Sequence, residues 1–147
     1  PVITQYASPE KELEGILARI QMEDLDDVAI LVPSDKEVMM VNDYLAKHGV
    51  KTQVMYRTGN TVPFRTVNTL DFSNNDLPCI LTYYAAKGSE FDNVFVPFAN
   101  TSNDCSRNSF YVACTRSSRS LYISYSGTKT KYLSDVNSDF ITELKAA

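Results

Sequence analysis

The chain has 147 residues, of which 44% are hydrophobic and 22% are charged, proportions typical of one soluble domain with a core of its own. No stretch approaches the roughly 18 to 20 consecutive apolar residues of a membrane span, and the first residues lack a secretory signal, so we expect a cytoplasmic protein with no membrane partner. The formal net charge of −4, taken as an average, argues against a nucleic-acid partner.

The charge is distributed unevenly along the chain. Residues 1–43 contain ten acidic and three basic residues, whereas residues 44–147 contain eight acidic and eleven basic residues. Within the second part, residues 105–134 hold five basic residues and no acidic one. The C-terminal part could therefore bind an anion despite the acidic total.

Cysteine and histidine usage argues against disulfides and metal ions. Cys79, Cys105 and Cys114 form no C-x-x-C pair, and His48 is the only histidine, so we predict no disulfide and no metal site. The acidic cluster at residues 23–27 is interpreted as a solvated loop. Because the sequence begins at Pro1 without a methionine, we expect a fragment of a longer protein.

The first half of the chain predicts two amphipathic helices around a buried strand. Ser8 can cap a helix whose apolar residues continue to Ile20 at helical spacing. Residues 28–32 are apolar at every position, the pattern of a strand covered on both faces. A second helix is predicted from Ser34 to His48, followed by a weak strand to Tyr56.

The second half predicts three firmer strands and two more helices. Residues 57–77 indicate a loop with a short strand near Val67. Strands are predicted at 79–83, 94–98 and 121–125, with helices at about 106–117 and after Ser138. This order predicts a single α/β domain over residues 1–147 with an open, mainly parallel sheet. Ligands of such sheets usually bind beyond the carboxyl ends of the strands.

Several familiar catalytic motifs are absent from the sequence. Its five glycines are too scattered for the phosphate-binding patterns G-x-x-x-x-G-K-[ST] or G-x-G-x-x-G, so the chain has no Walker A loop. No G-x-S-x-G motif occurs either. The sequence therefore gives little support to a free-standing α/β enzyme, and we expect this chain alone to be inactive.

Two segments resemble motifs V and VI of superfamily 1 DNA helicases of the UvrD/Rep type. The first runs ILTYYAAKGSEFDN from residue 80, and the second runs YVACTR from residue 111. Ser89 departs from the leucine usual in UvrD-like members and resembles the G-S-E-F of RecD-like members. The resemblance covers most of the chain and implies a C-terminal RecA-like domain, the 2A type, with helices on both faces of its sheet.

The resemblance also implies a role for individual residues at a nucleotide. Arg116 corresponds to the arginine finger of motif VI, which stabilises charge on a transferred γ-phosphate. Glu90 corresponds to the carboxylate that contacts the nucleotide's ribose. Gly88 allows the chain to turn beside it.

Thr82 and Tyr84 match positions that contact single-stranded DNA in the family. A hydroxyl can bond a phosphate, and a tyrosine can stack on a base, although Tyr84 could also serve only in packing. Lys87 lies between the two groups, and the sequence does not decide which of them it serves.

The resemblance thus implies the C-terminal domain of an ATP-dependent helicase acting on single-stranded or duplex DNA. ATP and Mg²⁺ would bind between this domain and an N-terminal RecA-like domain of the same parent chain, which would also supply the Mg²⁺ ligands. The alternative is a degenerate, non-catalytic RecA-like module that binds DNA or a partner protein.

Overall fold

The computed structural model describes residues 1–59, 65–101, 105–134 and 138–146. The described strands are β1 (Val2–Tyr6), β2 (Val28–Val32), β3 (Gln53–Thr58), β4 (Arg65–Asn68), β5 (Cys79–Thr82), β6 (Phe91–Val96), β7 (Ser117–Ser126) and β8 (Thr142–Lys145). The helices are α1 (Pro9–Met22), α2 (Asp35–Lys47) and α3 (Arg107–Cys114), with 3₁₀ turns at Lys131–Leu133 and Ser138–Phe140. In these ranges no helix is long and apolar enough to cross a membrane.

The strands form one sheet in the order β4-β3-β5-β2-β6-β7-β1-β8. Every described pairing between these strands is parallel except that of β3 with β4. Helices α1 and α2 pack on one face and α3 packs on the other. The predicted α/β architecture, an open and mainly parallel sheet with helices on both faces, is confirmed.

The strand predicted to be covered on both faces lies at the centre of the sheet. All five residues of β2 are buried. Ile30 contributes to the core beneath α1 and α2, whereas Ala29 and Leu31 contribute to the core beneath α3. The continuous apolar run in the sequence follows from this double burial.

Both ends of the chain differ from the sequence-based expectation. Residues 2–6, for which no element was predicted, form β1 between β7 and β8. The predicted last helix is wrong: Ser138 begins a 3₁₀ turn, and residues 142–145 form β8. Pairing with the edge of β1 competes with helix formation here. Thr142 N donates to Pro1 O at 2.9 Å, and Ala146 N donates to Gln5 O at 2.8 Å. Sheet pairing here overrides the helical spacing of the apolar residues.

Smaller differences affect the predicted boundaries. The third helix is shorter than 106–117 because Ser117 already belongs to β7. Strand β6 begins three residues earlier than predicted. It ends before Phe98, whose φ of 62° breaks the extended conformation. The short strand near Val67 is confirmed as β4, while residues 60–64 of the predicted loop lie outside the described part.

One buried carboxylate joins the first helix to the carboxyl edge of the sheet. Glu12 is fully buried, and its Oε1 accepts from Phe98 N at 2.9 Å and from Ser124 Oγ at 2.8 Å. Burial raises the pKa of Glu12 above its usual 4.5, and the Phe98 amide and nearby serine hydroxyls only partly oppose this. Glu12 therefore braces the bend after β6 at an electrostatic cost.

We predict that Glu12→Gln changes the pH dependence of stability. The folded chain holds the Glu12 proton to higher pH than the unfolded chain, so wild-type stability falls as pH rises from about 4.5 through the raised folded pKa. The glutamine variant lacks this loss, and its free energy of unfolding relative to wild type should increase between pH 4 and pH 8, measured by urea denaturation. Glu14→Gln, on the exposed side of α1, is the matched control. Parallel pH profiles for wild type and Glu12→Gln would contradict the prediction.

Candidate functional site

The segment that resembles motif V crosses the sheet from one edge to the other. Strands β5 and β6 both run parallel to β2, with Thr82 opposite Val32 at its carboxyl end and Asn93 opposite Val28 at its amino end. Residues 83–90 must therefore return along the face of the sheet. Tyr83 and Ala86 are buried there in the core beneath α3.

This crossing separates the predicted residues into two groups. Thr82 and Tyr84 lie at the carboxyl edge of the sheet, after β5. Gly88 and Glu90 lie at the amino edge, immediately before β6, and Arg116 lies there too, immediately before β7. The expectation that all of these residues lie beyond the carboxyl ends of strands is wrong for the second group. The reason is that a parallel connection begins at one edge and ends at the other.

The turn after β5 is stabilised by its own hydrogen bonds. Thr82 Oγ1 accepts from Ala85 N at 3.1 Å, and Thr82 O accepts from Ala86 N at 3.1 Å. Ser89 N then donates to Ala86 O at 3.0 Å, after Gly88 has turned the chain with a φ of 85°. The hydroxyl of Thr82 uses an acceptor site in this turn and keeps its O–H as a donor.

The guanidinium of Arg116 donates hydrogen bonds from three different nitrogens, two to the end of α3 and one to the turn before β6. Its Nε donates to Val112 O at 3.0 Å and its Nη2 to Thr115 Oγ1 at 3.0 Å. Its Nη1 donates to Ser89 O at 3.4 Å, and Phe91 N donates to Arg116 O at 2.9 Å. The two motifs are thus in direct contact, which their separation in sequence does not reveal.

The remaining hydrogen-bonding capacity of Arg116 suits an anion. A guanidinium carries five N–H donors, and those three bonds leave one N–H on each terminal nitrogen without a partner among the described residues. Glu90, one residue beyond the Ser89 carbonyl, is exposed. The planar guanidinium of Arg116 and the carboxylate of Glu90, both at the amino edge, have the chemistry to bind the phosphate and ribose of a nucleotide.

Lys87 lies in the crossing segment, between the two groups. Its side chain is exposed, and its backbone N–H donates to Tyr84 O at 3.2 Å within the crossing segment. The structure therefore places it between the two edges.

A groove of about 460 Å³ lies beside Thr82 and Tyr84 at the carboxyl edge. Tyr84 is 83% exposed, although neighbouring Tyr83 is buried. The groove is also lined by polar or aromatic residues that the sequence analysis missed: Ser34, Asp35, Tyr56, Arg57 and Thr66. Ser34 and Asp35 could have been found because they follow the carboxyl end of β2. Arg57 gave no such signal because its neighbourhood was predicted as a loop.

The acidic loop at residues 23–27 has a structural contact beside the amino edge. Asp27, with a φ of 46°, accepts from Asp92 N through Oδ2 at 3.0 Å. Its carbonyl accepts from Asn93 N at 3.1 Å. Part of the acidic excess of residues 1–43 therefore lies close to Glu90 in space, although it is distant in sequence. Asp27 therefore accepts hydrogen bonds from the β6 backbone and is not only a solvated charge.

Thiols and metal-ligating side chains are further candidate groups among the described residues. Burial raises the pKa of the Cys79 and Cys114 thiols to about 12, so neither supplies a thiolate near neutral pH. In the described ranges no group of three or more His, Cys, Asp or Glu side chains could hold a metal ion.

Comparison with known protein families confirms the resemblance to UvrD-like helicases. Residues 78–124, about a third of the chain, match the model of the UvrD-like helicase C-terminal domain. This segment contains β5, the crossing segment, β6, α3 and most of β7. A search of curated protein sequences finds no match.

Solved structures show the same fold over nearly the whole chain. The C-terminal domain of a possible DNA helicase from Lactobacillus plantarum WCFS1 is 22% identical with a TM-score of 0.77, and the match covers 97% of this chain and 84% of that one. An arterivirus nonstructural protein 10, a helicase solved in complex with DNA, is 9% identical with a TM-score of 0.62; 98% of this chain matches 35% of it. The helicase nsp10 of PRRSV is 11% identical with a TM-score of 0.60, covering 98% and 30%.

The fold is therefore that of a helicase C-terminal RecA-like domain. The chain spans most of the bacterial domain and about a third of each viral helicase.

We predict that Gly88→Ala destabilises the chain by about 1 kcal/mol, because a Cβ disfavours the left-handed conformation at this position. A Cβ built there meets nothing within 4 Å, so the cost comes from the backbone alone. Gly88→Asn should cost less, since asparagine tolerates positive φ. Urea unfolding of the three proteins measures the difference, and an alanine variant as stable as wild type would refute the explanation.

Proposed function

We propose that this chain supplies one half of the ATPase site, and part of the DNA-binding surface, of an ATP-dependent DNA helicase. The observation that carries the proposal is the arrangement of Arg116 and Glu90 at the amino edge and of Thr82 and Tyr84 at the carboxyl edge. A single continuous segment, residues 82–90, joins the two groups.

Arg116 acts as the arginine finger in this proposal. Transfer of a γ-phosphoryl group spreads negative charge over its equatorial oxygens, and a guanidinium donor stabilises that charge. The two N–H groups that Arg116 keeps, one on each terminal nitrogen, support a paired contact with phosphate oxygens. Lysine offers a point charge without this planar fork.

Glu90 and Gly88 serve the sugar of the same nucleotide. An exposed carboxylate accepts hydrogen bonds from ribose hydroxyls, and Gly88 sets the turn that brings Glu90 to the amino edge. Ser89, between them, contacts Arg116 through its carbonyl. The ribose and phosphate contacts therefore belong to one hydrogen-bonded unit.

The other half of the site belongs to an N-terminal RecA-like domain of the same parent protein. The present sequence contains no G-x-x-x-x-G-K-[ST] loop, so the triphosphate and its Mg²⁺ need ligands from elsewhere. We expect the isolated chain to hydrolyse ATP at a negligible rate. Closing and opening of the cleft would move the DNA-binding residues together with Glu90, because residues 82–90 form one compact segment.

We predict that Arg116→Ala in the complete parent protein lowers DNA-stimulated ATP hydrolysis by about 10³-fold, the scale of known arginine fingers. Arg116→Lys should fail as well, because a lysine cannot copy the fork. Lys145→Ala is the matched control, since Lys145 is an exposed cation at the end of edge strand β8, away from the amino edge. Steady-state turnover with and without DNA is the measurement.

The same experiment separates the proposal from its alternative. If ATPase activity of Arg116→Ala stays within about twofold of wild type, the arginine-finger assignment is wrong. A parent protein that binds DNA yet shows no ATPase activity with wild-type Arg116 would favour the degenerate, non-catalytic module.

The carboxyl-edge groove is the proposed contact with single-stranded DNA. Tyr84 offers an exposed aromatic face, the Thr82 hydroxyl keeps a donor, and Arg57 adds a cation beside them. Stacking on an aromatic ring combined with a phosphate contact is the usual chemistry of single-strand binding. Ser34 and Thr66 add hydroxyl groups to the same groove.

We predict that Tyr84→Ala weakens single-stranded DNA binding by the parent protein about tenfold, the loss of one base–aromatic stack. Tyr84→Phe keeps the ring and should bind nearly as wild type. Phe140→Ala removes another exposed aromatic, 74% accessible and remote from the groove, and serves as the control. Fluorescence anisotropy with a labelled oligonucleotide gives the affinities; equal losses for Tyr84→Ala and Phe140→Ala would rule out a specific stack.

A further inference from the structure

The orientation of Arg116 depends on a hydroxyl group in the residue before it. Thr115 follows the last residue of α3, and its Oγ1 donates to Val112 O at 2.9 Å. The same oxygen accepts from Arg116 Nη2 at 3.0 Å. Its single proton is used toward the helix, so the oxygen presents a lone pair to the guanidinium.

The hydroxyl completes a closed set of contacts at the end of α3. Val112 O accepts from Thr115 Oγ1 at 2.9 Å, from Arg116 Nε at 3.0 Å and from Thr115 N at 3.2 Å. Carbonyls in the last turn of a helix lack helical partners and attract cations, but one carbonyl does not fix the rotation of a guanidinium plane. A second acceptor on a different nitrogen and at ordinary hydrogen-bond distance does fix it, and Thr115 Oγ1 at 3.0 Å is that acceptor.

Among the described residues, the Thr115 hydroxyl is also the hydrogen-bond acceptor of Arg116 that a substitution can remove. Of the acceptors that hold the guanidinium among the described residues, those of Val112 and Ser89 are backbone carbonyls. The Ser89 contact, at 3.4 Å, is longer than an ordinary N–H···O hydrogen bond. The Thr115 hydroxyl is the remaining acceptor and the only side chain in the set.

We propose that Thr115 is a positioning residue that fixes the guanidinium plane of Arg116 for its contact with the γ-phosphate. This inference rests on the function proposed above for Arg116. Thr115 itself touches no nucleotide; it acts by leaving the two unused N–H groups of Arg116 in a fixed direction. It thereby reduces the reorganisation needed when charge develops on the phosphate.

The first test measures Arg116 directly in this chain. Thr115→Val keeps the side-chain shape and removes the hydroxyl, whereas Thr115→Ser keeps the hydroxyl. In ¹⁵N NMR spectra at low temperature, the Arg116 Nη2–H signal, which belongs to the nitrogen that donates to Thr115 Oγ1, should exchange with water about tenfold faster in Thr115→Val than in wild type, and at nearly the wild-type rate in Thr115→Ser. Thr142→Val, an exposed threonine on edge strand β8, is the matched control. Thr115 is exposed, and thermal unfolding checks that all variants remain folded.

The second test measures catalysis by the parent protein. Thr115→Val should lower kcat for ATP about tenfold and leave KM within about twofold, since the lost orientation matters most in the transition state. Thr115→Ser should restore kcat to within about threefold of wild type. A purely structural role would not produce this division between kcat and KM or this rescue.

The outcomes distinguish this inference from the proposed function. If Arg116→Ala is inactive while Thr115→Val keeps wild-type exchange or wild-type kcat, the positioning role is refuted and the arginine finger stands. If Arg116→Ala is itself fully active, both fall. Faster Nη2–H exchange together with a selective loss of kcat in Thr115→Val, and recovery in Thr115→Ser, supports the inference.

Discussion

Strands β5 and β6 run in the same direction, and this constraint separates the candidate residues of the segment 82–90 into two groups. A hairpin would have kept both ends of the connection at one edge of the sheet. A parallel pair obliges residues 83–90 to travel the length of the strands. The segment does so without a helix, using the turn at Thr82 and the left-handed Gly88. Its two ends therefore belong to different surfaces of the domain.

The sheet keeps both surfaces in a fixed relation. The central β2 is buried on both faces, so the strand ends beside Thr82 and Phe91 are held by two separate cores. At the carboxyl edge, Glu12 fixes the bend at Phe98 from within the protein. At the amino edge, Asp27 and Arg116 each bind backbone at the start of β6. Under the proposed function, a domain held by these contacts would move as one body against its partner domain.

The sequence predicted the parts of this structure that depend on local pattern. The apolar run of β2 and the caps and stripes of α1 and α2 predicted elements that the structure confirms. Residues 2–6 and 142–145 could not be assigned correctly, because their structure depends on pairing with each other and with β7. The spacing of the apolar residues after Ser138 favours a helix. Pairing with the free edge of β1 outweighs that preference.

The sequence named candidate site residues but did not predict their arrangement. Thr82, Glu90 and Arg116 were named because of a resemblance between motifs, and no local pattern indicates which edge of a sheet a residue occupies. The contact between Arg116 and the Ser89 carbonyl joins two motifs through tertiary structure alone. Arg57 and Thr66 line the groove because β3 and β4 pair beside β5. This pairing could not be deduced from a segment rich in loop residues.

The charges at the amino edge give a physical reason for a divided site. Beside the starts of β2, β6 and β7, the carboxylates of Asp26, Asp27, Glu90 and Asp92 outnumber the guanidinium groups of Arg116 and Arg119. A triphosphate brought to this edge alone would meet more repulsion than attraction. Positive charge from a second domain and from Mg²⁺ would reverse that balance. Arg116 would then add its stabilisation only when the two halves close, which ties hydrolysis to domain closure.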